Sequence, residues 1–345
     1  MIKEKRSVFL FMDKRILEQL ENVPSNVEDA FKDLTELCDS FIKLNGISEE
    51  ERKRLNYELE LIKKWGIAKV ILFGFHLILN EGFGATYGVE GNSFVNYLLG
   101  ISTVNPVKYN LPFERFYNEN RNYLPIYNII VEKGKKGFLL KSLYEKFGKN
   151  KIIKSKEDND NYFVSNKPIN PEFISETRIV AKENEEAYVE NISFLSYSEL
   201  TKLGYYNFSI NEVEEIKYSG EERFSEEEIY EKAKKDFSYS VNVATPFTDI
   251  EEVKEVLVNT DYKLIYQEQL MEILRKLCGF DMAKADHYRR EIAKAKKDNL
   301  EEIKKIMFEK FGENGQKLFD YLYKTGRYAV SKACVIASLC VVVEY

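Results

Sequence analysis

Apolar residues recur at helical spacing along much of the chain, and two strongly polar stretches interrupt them. Over Glu49–Asn80, Leu55, Leu59, Leu61, Ile62, Ile67, Ile71 and Phe75 form one stripe and Lys/Glu pairs cover the rest, which predicts one long amphipathic helix. Asn22–Asp39 predicts another, with Asn or Asp as caps and Ala30, Phe31, Leu34, Leu37 and Cys38 facing inward. Lys133–Asn170 turns polar, and its runs KSKEDNDNY and SNKPINP predict loops. Glu212–Lys235 is dense in Glu and Lys and reads as solvated helix and loop. From Thr248 the helical periodicity returns and continues to the last residues. There is no internal repeat and no low-complexity tract.

The 345 residues suffice for a substantial core in one or two domains. A net charge of −6 confines any nucleic-acid contact to a local basic stripe. Cys38, Cys278, Cys334 and Cys340 lack zinc-site spacing and read as reduced, mostly buried thiols. With His76 and His287 as its only histidines, the chain cannot assemble a His-rich metal centre. His76 lies on an apolar face and reads as a core residue. The start, MIKEKRSVFLFMDKR, carries charge directly after a short apolar stretch, unlike a secretory signal. Ala333–Val343 is apolar but falls short of the about 20 residues that span a bilayer. A cytoplasmic protein is expected.

Asn92–Val131 is the most informative stretch: a tyrosine, a short apolar helix end, a turn, then FERFYNENR and LPIYNIIV. It resembles the palm of the bacterial replicative C-family DNA polymerases, the family of the DNA polymerase III alpha subunit, in which LFERFLNPER leads into a strand M-P-D-F-D-I-D-F. Arg54–Ile62 follows that family's R-x-x-x-E-L-x-x-I helix, and Lys202–Ser209 its K-L-G-x-x-K-[FM]-D strand. Tyr266–Met271 reproduces Y-Q-E-Q-[VL]-M, and Ala283–Lys297 its G-A-D-x-L-R-R helix. The resemblance implies an α+β fold, mostly helical, with a small nucleotidyltransferase-like (polymerase β-type) palm sheet and helical fingers. The implied boundaries are a remnant of the end of the family's PHP phosphoesterase domain at 1–40 and palm at 41–132 and 195–212. A reduced thumb-like or irregular insertion at 133–194, a polar connector at 213–247 and shortened fingers at 248–345 complete the division. The family's duplex-binding, clamp-binding and OB modules are expected to be missing.

Polymerases of this kind use two divalent ions to activate a 3′-hydroxyl and to stabilise charge on the attacking and leaving oxygens. Magnesium requires hard oxygen ligands, and a strand offers them at every second residue. The resemblance places Ile126 and Asn128 at the first two catalytic aspartates and Ser209 at the third. Ile130 and Glu132 continue the same face. All three aspartate positions are neutral, so no catalytic residue is intact and no metal is expected. Glu132, Glu212 and Glu214 could supply one rearranged carboxylate, which does not make a two-metal site. The structural alternative is an apolar strand buried on both faces, with the vacated site filled.

The family's glycine-rich triphosphate cradle corresponds to Gly84–Ser93. Gly84, Gly88, Gly91 and Ser93 remain, Tyr87 stands at the cradle's arginine, and Glu90 brings negative charge where phosphates would sit. The glycines then serve the backbone shape of the turn. In the fingers, Arg289, Arg290, Lys294, Lys296 and Lys297 form the strongest basic cluster. As residues they read as a solvated face; the resemblance makes them candidates for nucleic-acid or triphosphate contact, together with Lys332. Cys334 stands at a family histidine. His287 belongs to the basic helix. Gln316–Phe319 looks like a clamp-binding peptide, but Leu318 and Phe319 sit at core spacing.

Three functions follow. One is a catalytically inactive pseudo-polymerase that binds replication proteins, nucleic acid or both, needs no cofactor and touches no membrane. The second is a stand-alone DNA-binding module. The third is a divergent active DNA-directed DNA polymerase, which alone would need Mg²⁺.

Overall fold

The computed structural model describes residues 27–79, 83–121, 123–156, 161–165, 168–180, 188–202, 206–219, 223–236 and 243–344. Residues 22–26 of the first expected helix, Leu203–Tyr205 of the third-aspartate motif and parts of both polar loops lie outside them. The chain forms two units, one of residues 1–109, 122–220 and 340–345, the other of 110–121 and 221–339.

The first unit is built on a mixed sheet. Helix α1 (Val27–Asn45) buries Ala30, Leu34, Leu37, Cys38 and Phe41. The long helix expected over Glu49–Asn80 is two helices, α2 (Glu49–Trp65) and α3 (Ala68–Ile78). Gly66 takes a left-handed conformation, φ 66°, and its N–H reaches back to the carbonyls of Ile62 and Lys63, which ends α2. Ser48 and Glu51 close a capping box at the start of α2. Almost every residue of α3 is buried.

Seven strands follow in the spatial order β1-β2-β7-β4-β3-β6-β5. They are β1 (Ala85–Thr86), β2 (Ile126–Glu132), β3 (Ile152–Lys154), β4 (Asn161–Val164), β5 (Ile174–Val180), β6 (Tyr188–Ser193) and β7 (Tyr206–Val213). Helices α4 (Phe94–Leu98), α5 (Lys136–Phe147) and α6 (Tyr197–Lys202) connect them, and β8 (Glu215–Tyr218) pairs with β9 (Val341–Glu344). One face of β2 carries Tyr127, Ile129 and Val131, all fully buried. Tyr127 packs against α3 where residue 74 is glycine; a Cβ there would come within 2.4 Å of the phenol ring. Phe73 stacks on Tyr206 at 5.1 Å. Each such buried aromatic contributes about 2–3 kcal/mol of hydrophobic stabilisation.

The sheet is larger than the small palm sheet implied by the resemblance. The extra strands lie in 133–194, expected to be a reduced thumb-like or irregular insertion. Leu139, Leu140 and Leu143 bury one face of α5, and Ile152, Ile153, Tyr162 and Phe163 give β3 and β4 apolar positions that pair in register. Strands this short, set between charged loops, leave too little alternation to show.

The second unit is helical, with α7 (Glu226–Asp236), α8 (Glu251–Leu257), α9 (Gln267–Cys278), α10 (Met282–Ala293), α11 (Glu301–Phe311), α12 (Glu313–Gly326) and α13 (Lys332–Cys340). Leu270, Ile273 and Leu274 of α9 lie at its core with Leu318 and Leu322 of α12. The side chains of Gln267, Glu268 and Gln269 in the YQEQ run are spent internally. Gln267 Nε2 donates to the Ala329 carbonyl at 2.9 Å, Glu268 accepts the Lys332 N–H at 2.9 Å, and Gln269 Oε1 accepts the N–H groups of Ile265 and Tyr266.

Candidate functional site

In the sheet unit, β2 and β7 run parallel and set Asn128 directly opposite Ser209. Two of the three residues that the resemblance sets at aspartate positions are therefore neighbours. The Ser209 hydroxyl donates to Asn128 Oδ1 at 3.0 Å. Ile126, the third, lies opposite Asn207. Only one face of β2 is uniformly buried, where the structural alternative expected both: on the cleft face Ile126, Asn128 and Glu132 are half-buried, and Ile130 alone is closed off. The cleft face is thus a neutral hydrogen-bonded pair flanked by isoleucines.

This donor set does not fit a pair of magnesium ions. Its one carbonyl oxygen, Asn128 Oδ1, already accepts from Ser209, and isoleucine offers no ligand atom. The three nearby glutamates are committed elsewhere. Glu132 accepts the Ile216 N–H at 3.5 Å, Glu212 accepts the Gly134 N–H at 3.1 Å, and Glu214 pairs with Lys133 at 2.6 Å. Among the described residues, no three His, Cys, Asp or Glu side chains are grouped to hold a metal.

Glu90 behaves unlike a misplaced surface charge. It is fully buried, and its carboxylate accepts the backbone N–H of Asn128. Burial, and after it the nearby Glu90 charge, pushes the Tyr127 phenol well above its ordinary pKa. The glycines here are needed for close approach and not for turn conformation. A Cβ on Gly84 would lie 1.9 Å from the Ile130 carbonyl, and one on Gly88 would lie 2.3 Å from Glu90 Oε2.

The cradle's remaining donors also point inward. Ser93 Oγ donates to Glu58 at 2.9 Å, and the N–H groups of Phe94 and Val95 reach the same carboxylate at 2.8 and 3.1 Å. Arg54 completes the set at 2.6 Å. Burial raises the Glu58 pKa, opposed by Arg54 and those two N–H groups. Ser93 and the start of α4 thus have the buried Glu58 carboxyl as their internal partner. Glu58 sits in the R-x-x-x-E-L helix, where its position among exposed neighbours gave no sign of burial.

The helical unit revises the basic cluster. Arg289 and Arg290 are buried and bind Asp286 at 2.6 and 3.2 Å, so they are neither a solvated face nor freely displayed. Arg121 joins them at 3.1 Å, Asn118 donates to the same carboxylate at 2.8 Å, and Arg115 is held by Gln267 at 2.9 Å. Burial pushes the Asp286 carboxyl up, but Arg289, Arg121 and Arg115 outweigh it and hold the group well below the usual range. Lys294, Lys296 and Lys297 are exposed, and Lys297 lies 5.1 Å from the Tyr323 ring. Lys332 pairs with Glu226 at 2.7 Å. Leu318 and Phe319 are core residues of α12. Sequence reasoning missed Asp286, although its spacing of three and four from two arginines on one helix was a usable signal.

A mixed sheet with a glycine turn beside its β2–β7 pair and a helical unit built around YQEQ make an α+β fold consistent with a polymerase palm and fingers. Comparison with known proteins agrees. Residues 27–156 match the family model described as the bacterial DNA polymerase III alpha NTPase domain, and residues 228–315 match that of the alpha subunit finger domain. DNA polymerase III subunit alpha of Thermotoga maritima is 25% identical over 86% of this chain. The Staphylococcus aureus subunit is 36% identical over 28% of it. The chain is a homologue of the bacterial DNA polymerase III alpha subunit. It spans 45% of the Thermotoga protein and 10% of the Staphylococcus one in these matches. No helix among the described residues is long and apolar enough to cross a membrane.

Proposed function

We propose that this chain is a non-catalytic relative of the replicative polymerases that acts by binding replication proteins. The observation that supports this is the Ser209–Asn128 hydrogen bond, which sets two neutral groups against each other where dications would need carboxylates. No magnesium or other cofactor enters the reading. Primer extension with Mg²⁺ or Mn²⁺ tests it: no incorporation is expected, and metal-dependent incorporation would defeat it. Pull-down of replisome proteins from the source cell should then identify the partner.

A second reading, DNA binding without chemistry, draws on Lys294, Lys296 and Lys297, which are exposed and carry no ion pair among the described residues. Binding to primed DNA that weakens with salt, and is lost when these three are neutralised, would favour it over the first.

A further inference from the structure

The turn at Val89–Asn92 folds back so that a carboxylate meets strand β2 inside the protein. Burying that charge costs several kcal/mol unless fixed donors receive it. Here one fixed donor is in place on the strand. Glu90 Oε1 accepts the Asn128 N–H. Glu90 Oε2 and Asn128 Nδ2 lie 2.3 and 2.5 Å from the point a Gly88 Cβ would take, so residue 88 must stay bare for both to enter. Asn96 donates to the Glu90 carbonyl at 3.3 Å and accepts the Tyr127 hydroxyl at 3.3 Å. The flanking loop is anchored independently: Tyr87 N–H donates to the Asn128 carbonyl at 2.8 Å, Thr86 Oγ1 to the Ile101 carbonyl at 2.6 Å, and the Tyr218 hydroxyl to the Gly84 carbonyl at 3.0 Å. The loop therefore has anchors that do not involve the carboxylate.

We propose that β2 carries a carboxylate-binding socket, formed by the Asn128 N–H beside bare Gly88, which the chain fills with its own Glu90. The ligand class is a small carboxylate. Tethering gives Glu90 a high effective concentration, so free carboxylates do not displace it. The socket rests on loop geometry alone, and detecting polymerase activity would leave it untouched.

Glu90→Gly empties the socket and leaves the loop's other anchors. Its melting temperature should fall by about 5–10 °C. Acetate or formate at about 0.1 M should recover at least half of that loss, while chloride at equal ionic strength should not. Adding Gly88→Ala, which puts a methyl group into the socket, should abolish the recovery. A Glu90→Gly protein that melts like wild type, or that responds to acetate no more than to chloride, overturns the proposal. Should that variant fail to fold, Glu90→Gln keeps the shape and removes the charge. Hydrogen exchange at the Asn128 amide should then rise about tenfold, and unchanged exchange overturns the proposal equally.

Discussion

Replacing Asn128 and Ser209 together by aspartate would put two carboxylates where a 3.0 Å hydrogen bond between neutral groups now stands. The lost bond is worth about 1 kcal/mol. Like charges roughly 4 Å apart repel by about 4 kcal/mol at an effective dielectric constant near 20. Asn128 is half-buried, so solvent screens part of this, and a net loss of roughly 3–4 kcal/mol near neutral pH is expected. Glu90, already seated on the Asn128 N–H, adds a third negative charge and works in the same direction. For a chain of this size the melting temperature should drop by on the order of 10 °C. The sign of the pH dependence follows. Two carboxylates sharing one site hold a proton above the ordinary aspartate value, so the folded state binds more protons than the unfolded one. Stability of the variant should therefore fall as pH rises from about 4 to 7, and relax again as acid returns the proton. Manganese, which the paired aspartates can bind, should return about 2.7 kcal/mol at one hundred times its dissociation constant. Thermal unfolding followed by circular dichroism, at about pH 5 and pH 7.5 with and without Mn²⁺, reads all of this. A double variant that melts like wild type, or whose loss ignores both pH and manganese, would refute the idea that this cleft is neutral because it no longer holds metal.

Three other outcomes follow from the structure. His76 is buried with Lys146 Nζ 2.7 Å from its Nδ1, and burial followed by the Lys146 charge depresses its pKa to about 3. The unfolded chain therefore takes up a proton that the folded one refuses, and stability should fall by roughly 2–3 kcal/mol between about pH 7 and pH 4.5. Denaturant titrations of wild type and His76→Leu across that window should show the steeper slope in the former. Asp286→Asn leaves buried arginines without their counter-charge and should cost about 3–5 kcal/mol, read as a shift in urea midpoint. Gly84→Ala drives a methyl group into the Ile130 carbonyl and should cost about 1–3 kcal/mol, with faster amide exchange at β1.

The helices outside 133–194 were legible because their apolar stripes are long, and strands β2 and β7 because their motifs stand in the family's order. What the sequence hid were contacts made at a distance. The break at Gly66 needed one residue with positive φ inside an otherwise continuous stripe. Glu58 gains its burial from Ser93, 35 positions away, and Asp286 from Arg121, 165 away. On α2, Glu58 does not differ in type from the solvated Glu50 and Glu60, and the spacing of Asp286 from Arg289 and Arg290 looks like that of an ordinary surface pair. Glu90 was visible as a departure from the glycine run, but only the fold shows that its charge turns inward. Arg289 and Arg290 were found as a cluster and misjudged as a surface, because a buried counter-ion on the same helix looks like ordinary charge alternation.

The arginine knot also determines where the protein can be cut. Asn118 and Arg121 come from the stretch 110–121, which lies within the residues matched by the NTPase-domain model, yet they close around Asp286 of the finger region. A fragment trimmed to the finger match would leave that acid facing two guanidinium groups instead of three, and without its amide donor. Segments that sequence profiles treat as separate modules are physically interlocked here, and a soluble finger piece will have to carry its borrowed strap with it.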